Sequence, residues 1–496
     1  MKQKFSSQRI TILVYITLSI LYLLWRIAFT LNEDQLVASI VFLCVDILTC
    51  FLAVLYVVTF WRLPEKPIPC RVSKQFTIDV LVPSYNEDSA MLKTTLQHCI
   101  DMDYPHKTWL LDDGNRPEME ILAKNLGVGY STRVHNTGAK AGNLNNALQY
   151  LQGELFAVFD SDFRPEKNFL SRLAAYFSDD KVAVVQAPQF YYNTDSFQHR
   201  RLSGNEVYSD QDSFMHLILP ARNSWDAAYW IGTNALLRRK AIHSTGGFPT
   251  SCVTEDVLTS MFLHRRGWKI VYVDEPLAFG RAPANVSEYF VQRLRWAKGA
   301  FQILRSFNPL FVKGLSLMQR LFYFSSVSHF IEGVAKIVYF LFPAFFFLFG
   351  IVPVYPYPPV IVGMLLYFGT STLMIELITR RKTNRVMDDI YSVIRSFIYL
   401  MAMPAFLFSK NIRFQVTPKN GEKPVIWQGI IGPVLIFAFN LAAIVVTVIK
   451  PKLLSTMGVF GWICLCWCFY FGIISFKACY YCFKPIIKKL QWAIGI

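Results

Sequence analysis

The sequence predicts an α/β domain with a mostly parallel sheet, inserted between two sets of transmembrane helices. Long apolar blocks stand near both ends of the chain, and 53% of its residues are hydrophobic, above the roughly 45–50% that is usual for soluble proteins. Between the blocks, residues 76–280 alternate short apolar runs with helical stretches, a pattern typical of parallel sheets. Three of those apolar runs end in acidic turns. These turns indicate a ligand site at one edge of the sheet.

The first two apolar blocks, residues 8–31 and 36–60, each reach the roughly 20 residues that a membrane-crossing helix needs. A cleaved signal peptide does not explain the first block, because the block is too long and no small-residue cleavage pattern follows it. The connector Asn32-Glu33-Asp34 has no basic residue, whereas Lys and Arg flank the pair on both outer sides. The positive-inside rule therefore places residues 63–315 in the cytosol.

Four further spans are predicted after residue 315, at about 318–350, 357–379, 425–449 and 455–479. Lys450 and Lys452 fall on the outer side in this scheme, which counts against it. Residues 386–408 are apolar but contain charged residues, and we expect them to lie on the inner face of the membrane. The alternative is a seventh span.

The net charge of +16 suits basic helix ends that meet anionic lipid. No block of clustered Lys and Arg with interleaved aromatic residues is present, so nucleic-acid binding is not expected. The ten cysteines concentrate near the last span and are interpreted as ordinary buried thiols.

The acidic turns define the candidate site. Asp160 and Asp162 follow the run at residues 156–159, and two Asp with one residue between them can both face one hard cation such as Mg²⁺ or Mn²⁺. Asp112 and Asp113 follow another run, and Glu87 lies in the turn after the first. Any single turn of this kind is also explained by Asp as a turn or cap residue. Three in the same arrangement favour a site.

Six motifs then occur in order along the chain. They are Pro83-Ser84-Tyr85-Asn86-Glu87, Asp112-Asp113-Gly114, Lys140-Ala141-Gly142-Asn143-Leu144-Asn145, Asp160-Ser161-Asp162, Thr254-Glu255-Asp256 and Gln292-Arg293-Leu294-Arg295-Trp296. The set resembles the membrane-integrated family 2 glycosyltransferases of the cellulose synthase type, and Phe414-Gln415-Val416-Thr417-Pro418-Lys419 resembles their F-x-V-T-x-K gating loop. The resemblance implies a GT-A-type cytosolic α/β domain between about six membrane spans, with additional interfacial helices.

The resemblance also implies the roles of individual residues. Asp160 and Asp162 would hold Mg²⁺ or Mn²⁺ against the diphosphate of a UDP-sugar. The expected donor-binding residues are Tyr85, Glu87, Asp112, Asp113, Lys140, Asp160, Gln292 and Arg295. A lysine such as Lys140 can also be an ordinary surface residue, but here it is expected to face the donor phosphates as a point charge.

Asp256 matches the family's catalytic base, which takes the proton of the acceptor hydroxyl, with Glu255 and Thr254 beside it. The alternative is that Glu255 and Asp256 only complement the dipole of a following helix at 256–266. Trp296, Thr233 and Asn234 are expected at the acceptor, and Phe414, Val416, Thr417 and Lys419 in the gating loop. Residues 229–234 depart from the usual cellulose synthase pattern.

The function predicted is a processive, inverting synthase in the plasma membrane that builds a β-glucan from UDP-glucose and moves it outward. An alternative is a processive synthase of a polymer that contains N-acetylglucosamine, or of a hyaluronan-like one. Another alternative is a transporter that only binds nucleotide. Expected partners are a UDP-sugar, the growing polysaccharide, the lipid bilayer and an outer-face accessory subunit.

The predicted segments are 1–62 (two spans), 63–283 (the GT-A domain), 284–317 (interfacial helices with the Q-x-x-R-W motif), 318–379 (two spans), 380–424 (interfacial helix and gating loop) and 425–496 (two spans and a tail).

Overall fold

The computed structural model describes residues 2–62, 67–68, 74–193, 209–379, 385–408 and 428–494. An α/β domain occupies the middle of the chain, and long apolar helices precede and follow it. This is the architecture that the sequence predicts. The predicted gating loop lies outside the described residues.

Ten strands form two sheets. They are β1 (Ile78–Ser84), β2 (Lys107–Asp112), β3 (Gly129–Thr132), β4 (Leu155–Val158), β5 (Arg164–Pro165), β6 (Val182–Gln186), β7 (Phe190–Tyr191), β8 (Ala235–Arg238), β9 (Lys269–Tyr272) and β10 (Ala278–Gly280). The main sheet has the order β3-β2-β1-β4-β8-β6-β9, and the small sheet the order β5-β10-β7. In the main sheet β8 runs antiparallel to β4 and β6, and the other pairs are parallel. The predicted mostly parallel sheet is confirmed.

The helices surround the sheet and form the bundle. They are α1 (Lys2–Phe29), α2 (Leu36–Thr59), α3 (Ser89–Ile100), α4 (Pro117–Leu126), α5 (Ala139–Ala147), α6 (Phe169–Ala174), α7 (Leu219–Asn223), α8 (Arg239–Ser244), α9 (Glu255–Arg265), α10 (Val286–Ser306), α11 (Leu317–Phe349), α12 (Pro358–Ile378), α13 (Arg385–Ala402), α14 (Pro404–Leu407), α15 (Gln428–Ile449) and α16 (Lys452–Ile494). Asp88 begins α3 by accepting from the backbone N–H groups of Ala90 and Met91 at 3.0 and 3.2 Å.

The central strands are covered on both faces. Val80 and Val82 of β1 pack into the cluster that includes Leu96 of α3, whereas Leu81 packs on the opposite face with Leu144 of α5. All five side chains are fully buried. Because both faces of the sheet are apolar and closed, polar side chains that serve a ligand are left to the strand ends.

Seven helices in the described part of the chain are long and apolar enough to cross a membrane. Six of them correspond to the predicted spans, and the chain is therefore an integral membrane protein. The seventh candidate is the segment 385–407, which we predicted as interfacial with a seventh span as the alternative. Its position relative to the bilayer stays a prediction.

The last helix differs from the prediction. We expected a span at 455–479 followed by a short tail, but α16 continues to Ile494. It also contains a break at Gly458, whose φ of 54° and ψ of −140° are not helical. A glycine tolerates this backbone conformation, which side chains disfavour.

The two ends of the bundle are built differently. At one end a hydrogen bond joins the α1–α2 and α11–α12 connectors: Asn32 donates from Nδ2 to the carbonyl of Val352 at 2.8 Å. At the other end α2 docks onto the α/β domain. Trp225 donates from Nε1 to the carbonyl of Thr59 at 3.0 Å, and the guanidinium of Arg62 stacks 4.0 Å from the Trp225 ring centroid. The two connectors thus share one end of the bundle, as the predicted topology requires.

Candidate functional site

The centre of the site is a turn that follows β4. Asp160 lies two residues beyond the strand, and its backbone N–H donates to the Thr233 hydroxyl at 2.9 Å. The carbonyl of Asp160 accepts from the N–H of Phe163 at 3.0 Å, which closes a tight turn around Ser161 and Asp162. Thr95 of α3 also stabilises the turn by donating from its hydroxyl to the Ser161 carbonyl at 2.8 Å. The two aspartates of the predicted metal site are therefore held on one braced turn.

Lys140 reaches this turn from the first turn of α5. Its Nζ forms an ion pair with Oδ1 of Asp160 and donates to the carbonyl of Gly232 at 2.7 Å. The side chain of Asp160 keeps 39% of its surface exposed, so a ligand can approach this ion pair. Lys140 is thus engaged with the Asp160 turn, and its contact with the donor phosphates stays a prediction.

Gly232 links this ion pair to the predicted catalytic base. A β-carbon placed on residue 232 would stand 3.2 Å from Oδ2 of Asp256. Gly232 also has a φ of +88°, a conformation that favours glycine. Lys140 and Asp256 therefore both approach Gly232, Lys140 at its carbonyl and Asp256 where a β-carbon would stand. The DxD turn and Asp256 meet at this point.

Glu255 and Asp256 begin α9; Glu255 is buried and Asp256 is partly buried. Burial first, and then the neighbouring charge of Glu255, raise the pKa of Asp256 to about 7, against the opposing effects of the Val257 N–H, Lys140 and Arg295. Burial likewise raises the pKa of Glu255, which Lys140 opposes most strongly. A carboxylate with a pKa near neutrality is suited to accept and release a proton. Asp256 therefore has the electrostatics of a general base.

Helix α10 packs directly against the Thr254 turn. A β-carbon on Gly299 would lie 2.4 Å from the Thr254 side chain, and Gln302 accepts from the Val253 N–H at 3.1 Å. The same helix carries the predicted residues Gln292, Arg295 and Trp296, all partly buried. The close approach at Gly299 explains how the Q-x-x-R-W segment reaches the base.

The predicted donor residues at the ends of β1 and β2 form a separate polar network. Asp112 is fully buried and accepts from Arg116 Nε at 3.0 Å, from Arg116 Nη2 at 2.8 Å and from the Tyr130 hydroxyl at 3.1 Å. Asp113 accepts from Arg133 Nε at 2.6 Å and from Arg133 Nη2 at 2.7 Å. These carboxylates shape the turn through their arginine partners. Their direct contact with a donor stays a prediction.

Sequence reasoning missed both arginines. Arg116 follows Asp112 by four residues across the turn between β2 and α4, and this short separation could have indicated the pair. Arg133 had no such signal, because its partner Asp113 is 20 residues away.

The turn after β1 is closed by Glu87. Its Oε2 accepts from the backbone N–H of Tyr85 at 2.7 Å and from the Ser84 hydroxyl at 2.9 Å. The Tyr85 side chain is exposed. Glu87 therefore organises the turn while Tyr85 remains available at the sheet edge, and donor contact for both residues stays a prediction.

The two predicted acceptor residues on the 231–234 segment lie inside the protein. Thr233 and Asn234 are fully buried, and Gln186 donates from Nε2 to both of their carbonyls at 2.8 and 3.2 Å. Asn234 holds a φ of +55° and donates from Nδ2 to the Pro188 carbonyl at 3.3 Å. The segment thus supports the Asp160 turn, and a sugar contact for these side chains stays a prediction.

Comparisons with known proteins show what this chain is similar to. Residues 155–375 match the family model described as "Glycosyl transferase family group 2". The chain is 32% identical over 416 residues to "Cellulose synthase 2" of Novacetimonas hansenii, and 31% identical over 440 residues to "Cellulose synthase catalytic subunit [UDP-forming]" of Komagataeibacter sucrofermentans. The matches cover 81% and 85% of this chain. The chain spans 26% of the first relative and 58% of the second.

A solved structure shows the same fold. The "Mannosyltransferase PcManGT from Pyrobaculum calidifontis in complex with GDP-Man and Mn2+" superposes with a TM-score of 0.54 at 16% identity, over 75% of this chain and 100% of that chain. The likeness shows that this α/β domain has the GT-A-type fold. The sequence matches confirm the predicted resemblance to cellulose synthases. Residues 155–375 therefore match the family 2 glycosyltransferases, and most of the chain is similar to bacterial cellulose synthases.

Proposed function

We propose that this protein is a processive, inverting glycosyltransferase that builds a β-glucan from UDP-glucose at the α/β domain and passes it through the membrane bundle. The observation that carries the proposal is the meeting of Lys140, Asp160 and Asp256 around Gly232. A donor-activating charge and a proton acceptor then serve one reaction centre. The relative in Komagataeibacter sucrofermentans, whose name marks it as UDP-forming, supports UDP as the leaving nucleotide.

The residues at the Asp160 turn fit a divalent cation. No group of three or more His, Cys, Asp or Glu side chains gathers within the described ranges. Asp160 and Asp162 would therefore hold the ion together with water and diphosphate oxygens, a ligand set that Mg²⁺ and Mn²⁺ accept. When bound, the ion supplies positive charge that stabilises the departing diphosphate. Mg²⁺ or Mn²⁺ is thus part of the proposal.

The chain's own residues perform the rest of the reaction. Lys140 places a positive charge beside the donor phosphates. Asp256 takes the proton from the acceptor hydroxyl as that oxygen attacks the anomeric carbon, while the bond from that carbon to the diphosphate breaks and UDP leaves. Attack from the side opposite the leaving group inverts the anomeric carbon. Trp296 offers a flat apolar face to the acceptor sugar.

The membrane helices give the polymer a way out. A hydrophilic chain cannot cross roughly 30 Å of hydrocarbon unaided. Basic residues flank the α/β side of α1 and α2, so we propose that the domain is cytosolic and that the bundle lies in the plasma membrane. An outer-face accessory subunit stays a prediction.

The test uses purified protein in lipid vesicles with Mg²⁺ or Mn²⁺ and a panel of UDP-sugars. We expect UDP release and long polymer with UDP-glucose, and digestion of the product by linkage-specific glucanases. Polymer formed only from UDP-N-acetylglucosamine or UDP-glucuronic acid mixtures would instead support the alternative synthases. Nucleotide binding without UDP release from any donor would contradict a transferase.

A further inference from the structure

Asp210 is a buried carboxylate at which three parts of the chain meet. It lies just before the π-helix Phe214–Ile218, and only 4% of its side chain is exposed. It accepts from Arg293 Nη2 at 2.5 Å, from Arg395 Nη1 at 2.5 Å and from the Tyr289 hydroxyl at 2.9 Å. Tyr289 and Arg293 belong to α10, and Arg395 belongs to α13. One carboxylate therefore fastens these two helices to the α/β domain.

The charges around Asp210 do not balance without it. Burial alone raises the pKa of Asp210, but Arg395 and Arg293 outweigh this effect and hold that pKa below its usual range. The carboxylate is therefore ionised between two guanidinium groups. Arg293 Nε and Nη1 have no hydrogen-bond partner among the residues that the structure describes. Removing the negative charge would leave the buried guanidinium of Arg293 and the partly buried one of Arg395 without the carboxylate that neutralises them, which is unfavourable.

Arg293 connects Asp210 to Trp296, the predicted acceptor residue. Its guanidinium carbon lies 4.2 Å from the ring centroid of Trp296 and 4.7 Å from that of Tyr289. A guanidinium stacked on an indole fixes the orientation of that ring. Asp210 holds the other side of the same guanidinium. The chain Asp210–Arg293–Trp296 thus leads from a buried ion pair to the acceptor face.

We propose that Asp210 is a positioning residue for the acceptor sugar: it holds Arg293 against Trp296 and fastens α10 to α13, and so keeps the indole face in place for each new chain end. This inference rests on the proposed function, because it needs Trp296 to receive a sugar. A purely structural anchor would lower all activities together. A positioning residue lowers polymer extension far more than donor use. Lys140, Asp160 and most of the other predicted donor residues lie on other elements, and only Gln292 and Arg295 share α10.

The test compares Asp210→Asn with the wild-type protein in vesicles. For the variant we expect the KM for UDP-glucose in UDP release to stay within about twofold, and the mean polymer length to fall by about tenfold or more. Arg305→Gln is the matched control. Arg305 ties α10 to α14 by donating to the Phe406 carbonyl at 2.9 Å, but it is exposed and does not contact Trp296. The control should keep wild-type polymer length.

Two further variants keep the test decisive. Arg293→Lys retains the charge but loses the planar group under Trp296, so it should also shorten the polymer, even if Asp210→Asn does not fold. Arg395→Gln removes one of the two cations, so adding it to Asp210→Asn should restore part of the length. Wild-type polymer in both Asp210→Asn and Arg293→Lys would overturn the proposal, as would a parallel loss of donor binding.

Failure of the proposed function has a different signature. If wild-type protein makes no polymer, the synthase assignment is wrong. Hydrogen exchange can still test whether Asp210 holds α10 and α13 in place. Asp210→Asn should then exchange faster than the wild-type protein in residues 286–306 and 385–402, whereas Arg305→Gln should not. Equal protection in Asp210→Asn and wild type would overturn the fastening itself.

Discussion

Gly232 and Asp256 approach so closely that a β-carbon on residue 232 would lie 3.2 Å from Oδ2 of the aspartate. The carbonyl of the same glycine accepts from Lys140 at 2.7 Å. A single residue without a side chain therefore lies between the Lys140 ammonium group and the proposed base. This relationship leads to the first prediction.

Gly232→Ala should lower kcat by about tenfold or more, because the added methyl group crowds the Asp256 carboxylate. UDP binding should persist. Gly246→Ala is the matched control: Gly246 has a φ of +85°, like the +88° of Gly232, but nothing lies within 4 Å of its β-carbon. Both variants should lose about 1 kcal/mol or somewhat more of unfolding free energy from backbone strain. Similar kcat values for the two variants would contradict the crowding.

The activity should depend on pH through Asp256, whose pKa lies at about 7. A base acts only when deprotonated, so kcat/KM should fall as the pH drops below about 7 and level off above it. Glu255→Gln removes a neighbouring negative charge that raises this pKa, so the acidic limb should move to lower pH. Asp256→Asn should abolish transfer at every pH. An acidic limb that stays in place in Glu255→Gln would show that another group titrates.

Removal of divalent cations should abolish UDP release, and adding Mg²⁺ or Mn²⁺ should restore it. Asp162→Asn and Asp160→Asn remove one carboxylate each from the braced turn, so both should need at least about tenfold more metal for half-maximal rate. Asp101→Asn, an exposed position at the end of α3, is the control. Full activity in chelator would rule out the cation.

The Asp112–Arg116 pair should matter for folding as well as for the site. Arg116→Met leaves the fully buried carboxylate of Asp112 without its charged partner, which should cost about 3–5 kcal/mol of unfolding free energy. The comparison is Arg172→Met, which breaks an exposed pair with Glu275 and should cost about 0–1 kcal/mol. Denaturant unfolding in detergent measures both. Equal losses would mean that the buried pair is not a strong anchor.

The sequence alone determined the architecture. Apolar blocks long enough to cross a bilayer, the alternation of strands and helices, and the acidic turns at strand ends are local patterns, and each follows from the physics of burial. The proximity of Asp160 and Asp162 is also a local property, because two residues in a tight turn are close in any fold.

Only the tertiary structure decided how the motifs meet. Strand β8 runs antiparallel beside β4, which carries Gly232 and Thr233 back to the Asp160 turn. That pairing joins residues more than 70 positions apart, and no local signal encodes its register. The same reason hid Asp210 and Arg133, whose partners are distant in sequence. The sequence determined which chemical groups the chain carries, and long-range strand and helix packing decided which of them act together.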